Sequence, residues 1–132
     1  MSISPTSRTL QYLRDQGFNT WTVERYIRAP HLPGGGKRID LFNIIDLISI
    51  DAVRTVGVQS CGMDFAGHHK KLTEEKLTET TNWLECPHRE LWLIGWRKLK
   101  VKRGGKAMRW RPRIREYKLE SGLIVWKDAE ME

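Results

Sequence analysis

The sequence predicts an α+β domain, a central mixed β-sheet flanked by helices. Three observations lead there. Apolar residues recur in strand-length runs, segments of helical period interrupt those runs, and the resulting order is α-β-β-β-α-β-β. A chain of 132 residues can bury one such core and is too short for two.

Residues 6–16 read as a helix, with Leu10, Leu13 and Tyr12 toward the core and Gly17 as its stop signal. Residues 18–26 read as a strand, with Thr20, Thr22 and Glu24 on one face and Trp21 and Val23 on the other. A loop follows over residues 30–37, punctuated by Pro30, Pro33 and three glycines. Residues 39–50 read as the second strand, Asp51-Ala52 as a turn, and residues 54–60 as the hairpin partner. Residues 65–84 read as a helix ended by Cys86-Pro87. Residues 90–101 form the next strand, Arg103 to Lys106 a turn, and residues 108–119 the last strand. Pro112 has no N–H to give a ladder, which assigns that strand to a sheet edge. The domain then covers residues 1–121 and leaves 122–132 as a C-terminal tail, an apolar scrap followed by acidic residues.

Charge is unevenly distributed. From Met1 to Ile94 there are 11 basic and 11 acidic residues, whereas Gly95 to Lys118 holds 11 basic residues and one acid, Glu116. One concentrated basic patch points to a polyanion, most often nucleic acid. Arg109, Arg111, Arg113 and Arg115 recur at period two, so a strand would set all four on one face, suited to phosphates. No apolar stretch approaches the roughly 20 residues of a membrane span. The N-terminal residues lack the features of a signal peptide. Cys61 and Cys86 are too few for a disulfide scaffold, so a cytoplasmic location is expected.

Asp46 is the anomaly. In a strand over residues 39–50 it shares a face with Phe42, Ile44, Ile48 and Ile50, where an unpaired carboxylate costs several kcal/mol or gives up its charge. Such a residue is kept when a cation, a metal or a strong donor set meets it. Glu24 ends the first strand, Asp40 opens the second, Asp46 lies in its middle and Gln59 ends the third, so the four can converge if the strands are neighbours. Oxygen ligands with open positions suit Mg²⁺ or Mn²⁺, which act on phosphates.

Val23-Glu24-Arg25, the run from Asp40 to Leu47, Val56-Gly57-Val58-Gln59, Lys71-Leu72 and Gly95-Trp96-Arg97-Lys98 together resemble the PD-(D/E)xK nuclease superfamily, and within it small phage Holliday junction resolvase-like proteins. The resemblance covers about residues 8–100. It implies a restriction-endonuclease-like fold and a metal-dependent endonuclease acting on DNA phosphodiesters, with branched DNA and Holliday junctions as substrates. Mg²⁺ or Mn²⁺ would be held by Asp46, Gln59 and Glu24. Lys71 would assist, and Arg97, Lys98, Arg109, Arg111, Arg113 and Arg115 would bind DNA. It further implies a homodimer and, for a phage-encoded chain, the cytoplasm of a bacterial host. Two positions depart from the family pattern: Gln59 stands where the second acid belongs, and Cys61 where the lysine does. Lys70 and Lys71 on the next helix offer a replacement lysine, and Lys71 is the preferred one.

A second reading, of another class, is a non-catalytic nucleic-acid-binding protein with a degenerate nuclease fold. A third is a phage accessory protein that binds a host protein through its basic strands. Cys61, His68, His69, Cys86 and His88 lack the paired spacing of a structural zinc site. Gly34-Gly35-Gly36-Lys37 lacks the strand-to-helix setting of a phosphate-binding loop.

Overall fold

The structure, a computed structural model, describes residues 3–129. Helix α1 (Pro5–Asp15) starts where the Ser4 hydroxyl accepts from the Ser7 amide at 3.1 Å, with Pro5 in the first turn, where its missing N–H costs nothing. The strands are β1 (Asn19–Thr22), β2 (Arg25–Arg28), β3 (Gly36–Ile39), β4 (Leu47–Ile50), β5 (Thr55–Cys61), β6 (Arg89–Lys100), β7 (Met108–Glu120) and β8 (Leu123–Asp128). Between β5 and β6 lie α2 (Phe65–Lys70), a π-helical segment (Lys71–Glu75) and α3 (Leu77–Leu84).

Six strands form one sheet in the order β1-β4-β5-β6-β7-β8, and β2-β3 form a separate two-stranded ribbon. Only β5 and β6 run parallel, so the sheet is mixed, and the α2–α3 segment is the crossover that a parallel pair requires. Each face buries its own core. Leu13 of α1 packs with Leu47, Val56, Val58, Trp92, Ile94 and Trp96 on one side. On the other, Phe65, Leu72, Trp83 and Leu84 pack with Ile44, Ile45, Leu91, Leu93 and Tyr117. The α+β class with helices flanking a mixed sheet is therefore observed, and Trp92 and Trp96 are core residues.

Gly95 lets α2 lie against β6. A Cβ there would sit 2.6 Å from Cδ2 of Phe65 and 3.2 Å from Sγ of Cys61. Gly95→Ala is expected to cost about 1–3 kcal/mol through overpacking. The measurement is the urea midpoint, and an unchanged midpoint contradicts this packing.

Five expected elements differ. The strand over residues 18–26 breaks at Val23-Glu24, because both amides leave the ladder to bond the carbonyl of Asp46, at 2.8 and 3.0 Å. The strand over 39–50 is interrupted by a tight turn with Phe42 and Asn43 at φ 54° and 61°. Asp46 therefore immediately precedes β4 instead of lying mid-strand, and Ile44 and Ile45 are both buried where a strand would have alternated them. The helix over 65–84 is divided by the π-segment. The last strand of the expected set, β7, is not the sheet's edge strand. β8 pairs with it over residues 115–120, and Pro112 is tolerated because it lies beyond that pairing. Most of the segment read as a tail is β8, joined through Ser121-Gly122, both at positive φ as a two-residue hairpin turn requires. The acidic end, residues 130–132, lies outside the described residues.

Candidate metal centre

Two ribbon closures bring three acids together. In the β2–β3 ribbon Arg25 is opposite Ile39, which sets Glu24 beside Asp40 where the ribbon opens. The Leu41–Ile45 bridge, with N–H···O distances of 2.8 and 3.0 Å, closes the following turn and sets Asp40 beside Asp46. One carboxylate oxygen from each of Glu24, Asp40 and Asp46 lies within 4.8 Å of the others. Asp40, outside the set that the resemblance assigned, is thus the middle member of the cluster.

Asp46 is 4% exposed, and its Oδ2 accepts from Nε2 of Gln59 and from the Ser60 amide, both at 2.8 Å. Gln59 is 1% exposed and is engaged at both ends: Nε2 donates to Asp46, and Oε1 accepts from Nζ of Lys71 at 2.9 Å. Its oxygen faces the lysine, so Gln59 bridges acid and lysine, and Asp40 is the third carboxylate of the trio. Lys71 also donates to Oδ2 of Asp40 at 3.2 Å. Glu24 pairs loosely with Arg38 at 4.0 Å.

Lys71 reaches the acids from the π-segment, where the Lys76 amide bonds the Lys71 carbonyl five residues back, at 2.7 Å. Such a bulge re-aims side chains and recurs at functional sites. Lys70 is exposed. Cys61, where the resemblance expects a lysine, is buried, and burial first, then Asp64 and Asp46, pushes its thiol up to about 12. It stays a neutral thiol packed near Phe65 and Gly95. His68 bonds the Asp64 carbonyl through Nδ1, and His69 bonds the Tyr117 hydroxyl.

The electrostatics follow from crowding. Burial, a proton shared with Asp40, and the charges of Asp40 and Glu24 push the Asp46 carboxyl up to about 8, against the lowering effect of the Ser60 amide bond. Asp40 feels burial most, but its bond to Asp46, the charge of Lys71 and donation from Gln59 and Lys71 outweigh it and lower its value. Like carboxylates this close cannot all ionise without a cation. A hard all-oxygen donor set suits Mg²⁺ or Mn²⁺, so the residues present fit such an ion, with Glu24, Asp40 and Asp46 to hold it.

Ser60 ties this centre to the opposite face. Its hydroxyl is 2.7 Å from Oγ1 of Thr9 on α1, which in turn accepts from Nε1 of Trp96 at 2.8 Å.

The basic residues divide by sheet face. Register places Arg97 opposite Arg111, Gly95 opposite Arg113 and Leu93 opposite Arg115. Leu93 is also level with Gln59, and Gly95 with Cys61. Alternation therefore puts Arg97, Arg109, Arg111, Arg113 and Arg115 on the face that carries Gln59, while Lys98 lies on the other. Arg113 stacks over Phe65, 4.0 Å from the ring centroid. Arg115 is neutralised by a two-pronged pair with Asp128 at 2.6 and 3.0 Å, which leaves it the least able of the set to bind a phosphate.

No family model matches the chain, and no curated protein or solved structure is significantly similar to it. No helix among the described residues is long and apolar enough to cross a membrane.

Proposed function

We propose that the chain is a divalent-metal-dependent endonuclease that cuts DNA phosphodiesters, including those of branched DNA, on a restriction-endonuclease-like fold. The observation that carries this reading is the position of Lys71, whose Nζ lies 3.2 Å from Asp40 and 2.9 Å from Gln59, beside three clustered carboxylates. Acids alone repel a phosphodiester. Mg²⁺ or Mn²⁺, when bound by Glu24, Asp40 and Asp46, supplies positive charge toward the phosphate and lowers the pKa of a bound water. The chain's own groups do the rest. Lys71 can donate to a phosphate oxygen or orient a water. Gln59 keeps Lys71 and Asp46 in register. The arginines on the same sheet face hold the DNA backbone without reading sequence. A homodimer belongs to this reading, because resolving a four-way junction takes two symmetric cuts.

The test is incubation of a four-way junction and a linear duplex with the protein in Mg²⁺ or Mn²⁺. Cleavage that chelation abolishes is expected. Lys71→Met is expected to slow cutting by about 10²-fold while binding persists. Absence of cleavage with either ion, alongside salt-sensitive binding, overturns the proposal in favour of a non-catalytic nucleic-acid-binding protein.

A further inference from the structure

β6 and β7 outrun the sheet. β5 accompanies β6 only over Arg89–Gly95, and β8 accompanies β7 only over Arg115–Glu120. Beyond those limits, residues 97–100 pair with 108–111 alone, as a two-stranded arm closed by a turn in which the Val101 amide bonds the Ala107 carbonyl at 2.9 Å. From Arg97 to Arg111 the arm carries eight basic residues and no acid. Its two faces are both cationic: Arg97, Arg109 and Arg111 on one, Lys98 and Lys100 on the other. Arg97 and Arg111 sit directly opposite one another, an arrangement that destabilises a strand pair. Among the described residues, neither they nor Arg109 makes an ion pair. The arm also exposes Leu99, Val101, Met108 and Trp110, between 37% and 53% each.

A cationic patch that lies on a polyanion needs one charged face. Charge on both faces calls for a polyanion on both sides. We infer that this arm enters the major groove of B-form duplex DNA, its arginine face toward one backbone and its lysine face toward the other. The turn that closes the arm, with Lys102, Arg103 and Lys106, then lies nearest the groove floor. This rests on the DNA reading above and adds to it a mode of engagement. Size agrees. A two-stranded ribbon with side chains on both faces is about 10 Å thick, which matches a groove about 12 Å wide and exceeds a minor groove of about 6 Å. Pairing with the arm of a second copy is disfavoured, since Pro112 and the arginines blunt the open edge of β7.

The experiment measures duplex binding by Asp46→Ala protein without divalent ions, so that its outcome is independent of cleavage. DNA whose cytosines carry glucosylated hydroxymethyl groups, which fill the major groove, is expected to bind at least about tenfold more weakly. Netropsin, which fills the minor groove, is expected to leave binding unchanged. Double-stranded RNA of the same sequence is expected to compete poorly, because its major groove is too narrow. Replacing Arg97, Lys98, Arg109 and Arg111 by glutamine is expected to reduce the salt slope by about 3–4, and lysine at the three arginine positions to restore most of it. Full binding to glucosylated DNA, displacement by netropsin, equal competition by RNA or an unchanged salt slope each overturns the inference. If the arm behaves as expected and wild type does not cleave, the nuclease reading alone fails.

Discussion

Asp46→Asn protein is expected to lose DNA cleavage by a factor of about 10³ and yet to outlast wild type on heating at pH 9. Both results come from the same burial. The Asp46 carboxyl is pushed up from 3.8 to about 8 by burial, by the proton shared with Asp40 and by the neighbouring charges. Between those values the folded chain holds a proton that the unfolded chain has released, so stability falls as pH rises from about 4 to 8 and then levels. The Asp46 shift by itself corresponds to roughly 6 kcal/mol, and the lowered Asp40 carboxyl offsets part of that decline. Asparagine removes it. Its Oδ1 can accept from Gln59 and Ser60 as the aspartate does, while its Nδ2 donates toward Asp40, as the protonated acid would. Near pH 5 the two proteins should melt at similar temperatures, and at pH 9 the variant should melt higher. A variant that melts lower at both pH values contradicts the protonated, crowded site.

The proton also governs ion binding. A divalent ion needs ionised ligands, so its binding to the trio must expel the proton held by Asp46 and Asp40. Affinity for Mn²⁺ is expected to rise about tenfold per pH unit up to about 8, then to level off. Calorimetry in buffers of different ionisation enthalpy should count close to one proton released per ion at pH 6.5 and few at pH 9. Affinity independent of pH across this range would falsify the assignment of Asp46 to the ion. Lys71 makes the same point from the other side. Among the described residues it supplies the one close positive charge to Asp40, and an ion bound at the trio would take over that role and free the ammonium.

Much of this site was legible in the residue pattern. Asp46 and Gln59 stood out because polar groups in apolar runs need partners, and they are indeed hydrogen-bonded to each other. Lys71 was distinguishable from Lys70 only by resemblance, since nothing in Lys71-Leu72-Thr73-Glu74-Glu75 announces a π-segment. Asp40 lies outside the set that the resemblance assigned, and with residues 39–50 scanning as one strand nothing in the pattern brings it back to Asp46. Phe42 and Asn43 adopt positive φ, which propensity does not foresee for a bulky aromatic, and the turn they make folds Asp40 back onto Asp46. β8 had a visible signal in Ser121-Gly122 between two strand-like runs, and acidic residues after the apolar scrap obscured it. The pairing of Arg115 with Asp128 depends on that strand, so it was hidden with it.

Ser60 gives the N-terminal helix a part in the lifetime of the site. Its amide restrains Asp46 on one face of the sheet, and its hydroxyl is bonded to Thr9, beneath Trp96, on the other. α1 and the acidic trio are therefore expected to open as one cooperative unit in hydrogen exchange. Were α1 to lift, Thr9 would leave Ser60 and Trp96 without their buried partner, and the end of β5 that restrains Asp46 would loosen with them. On that expectation the helix is a latch on the far side of the sheet, and its opening rate sets how long the acidic trio stays assembled.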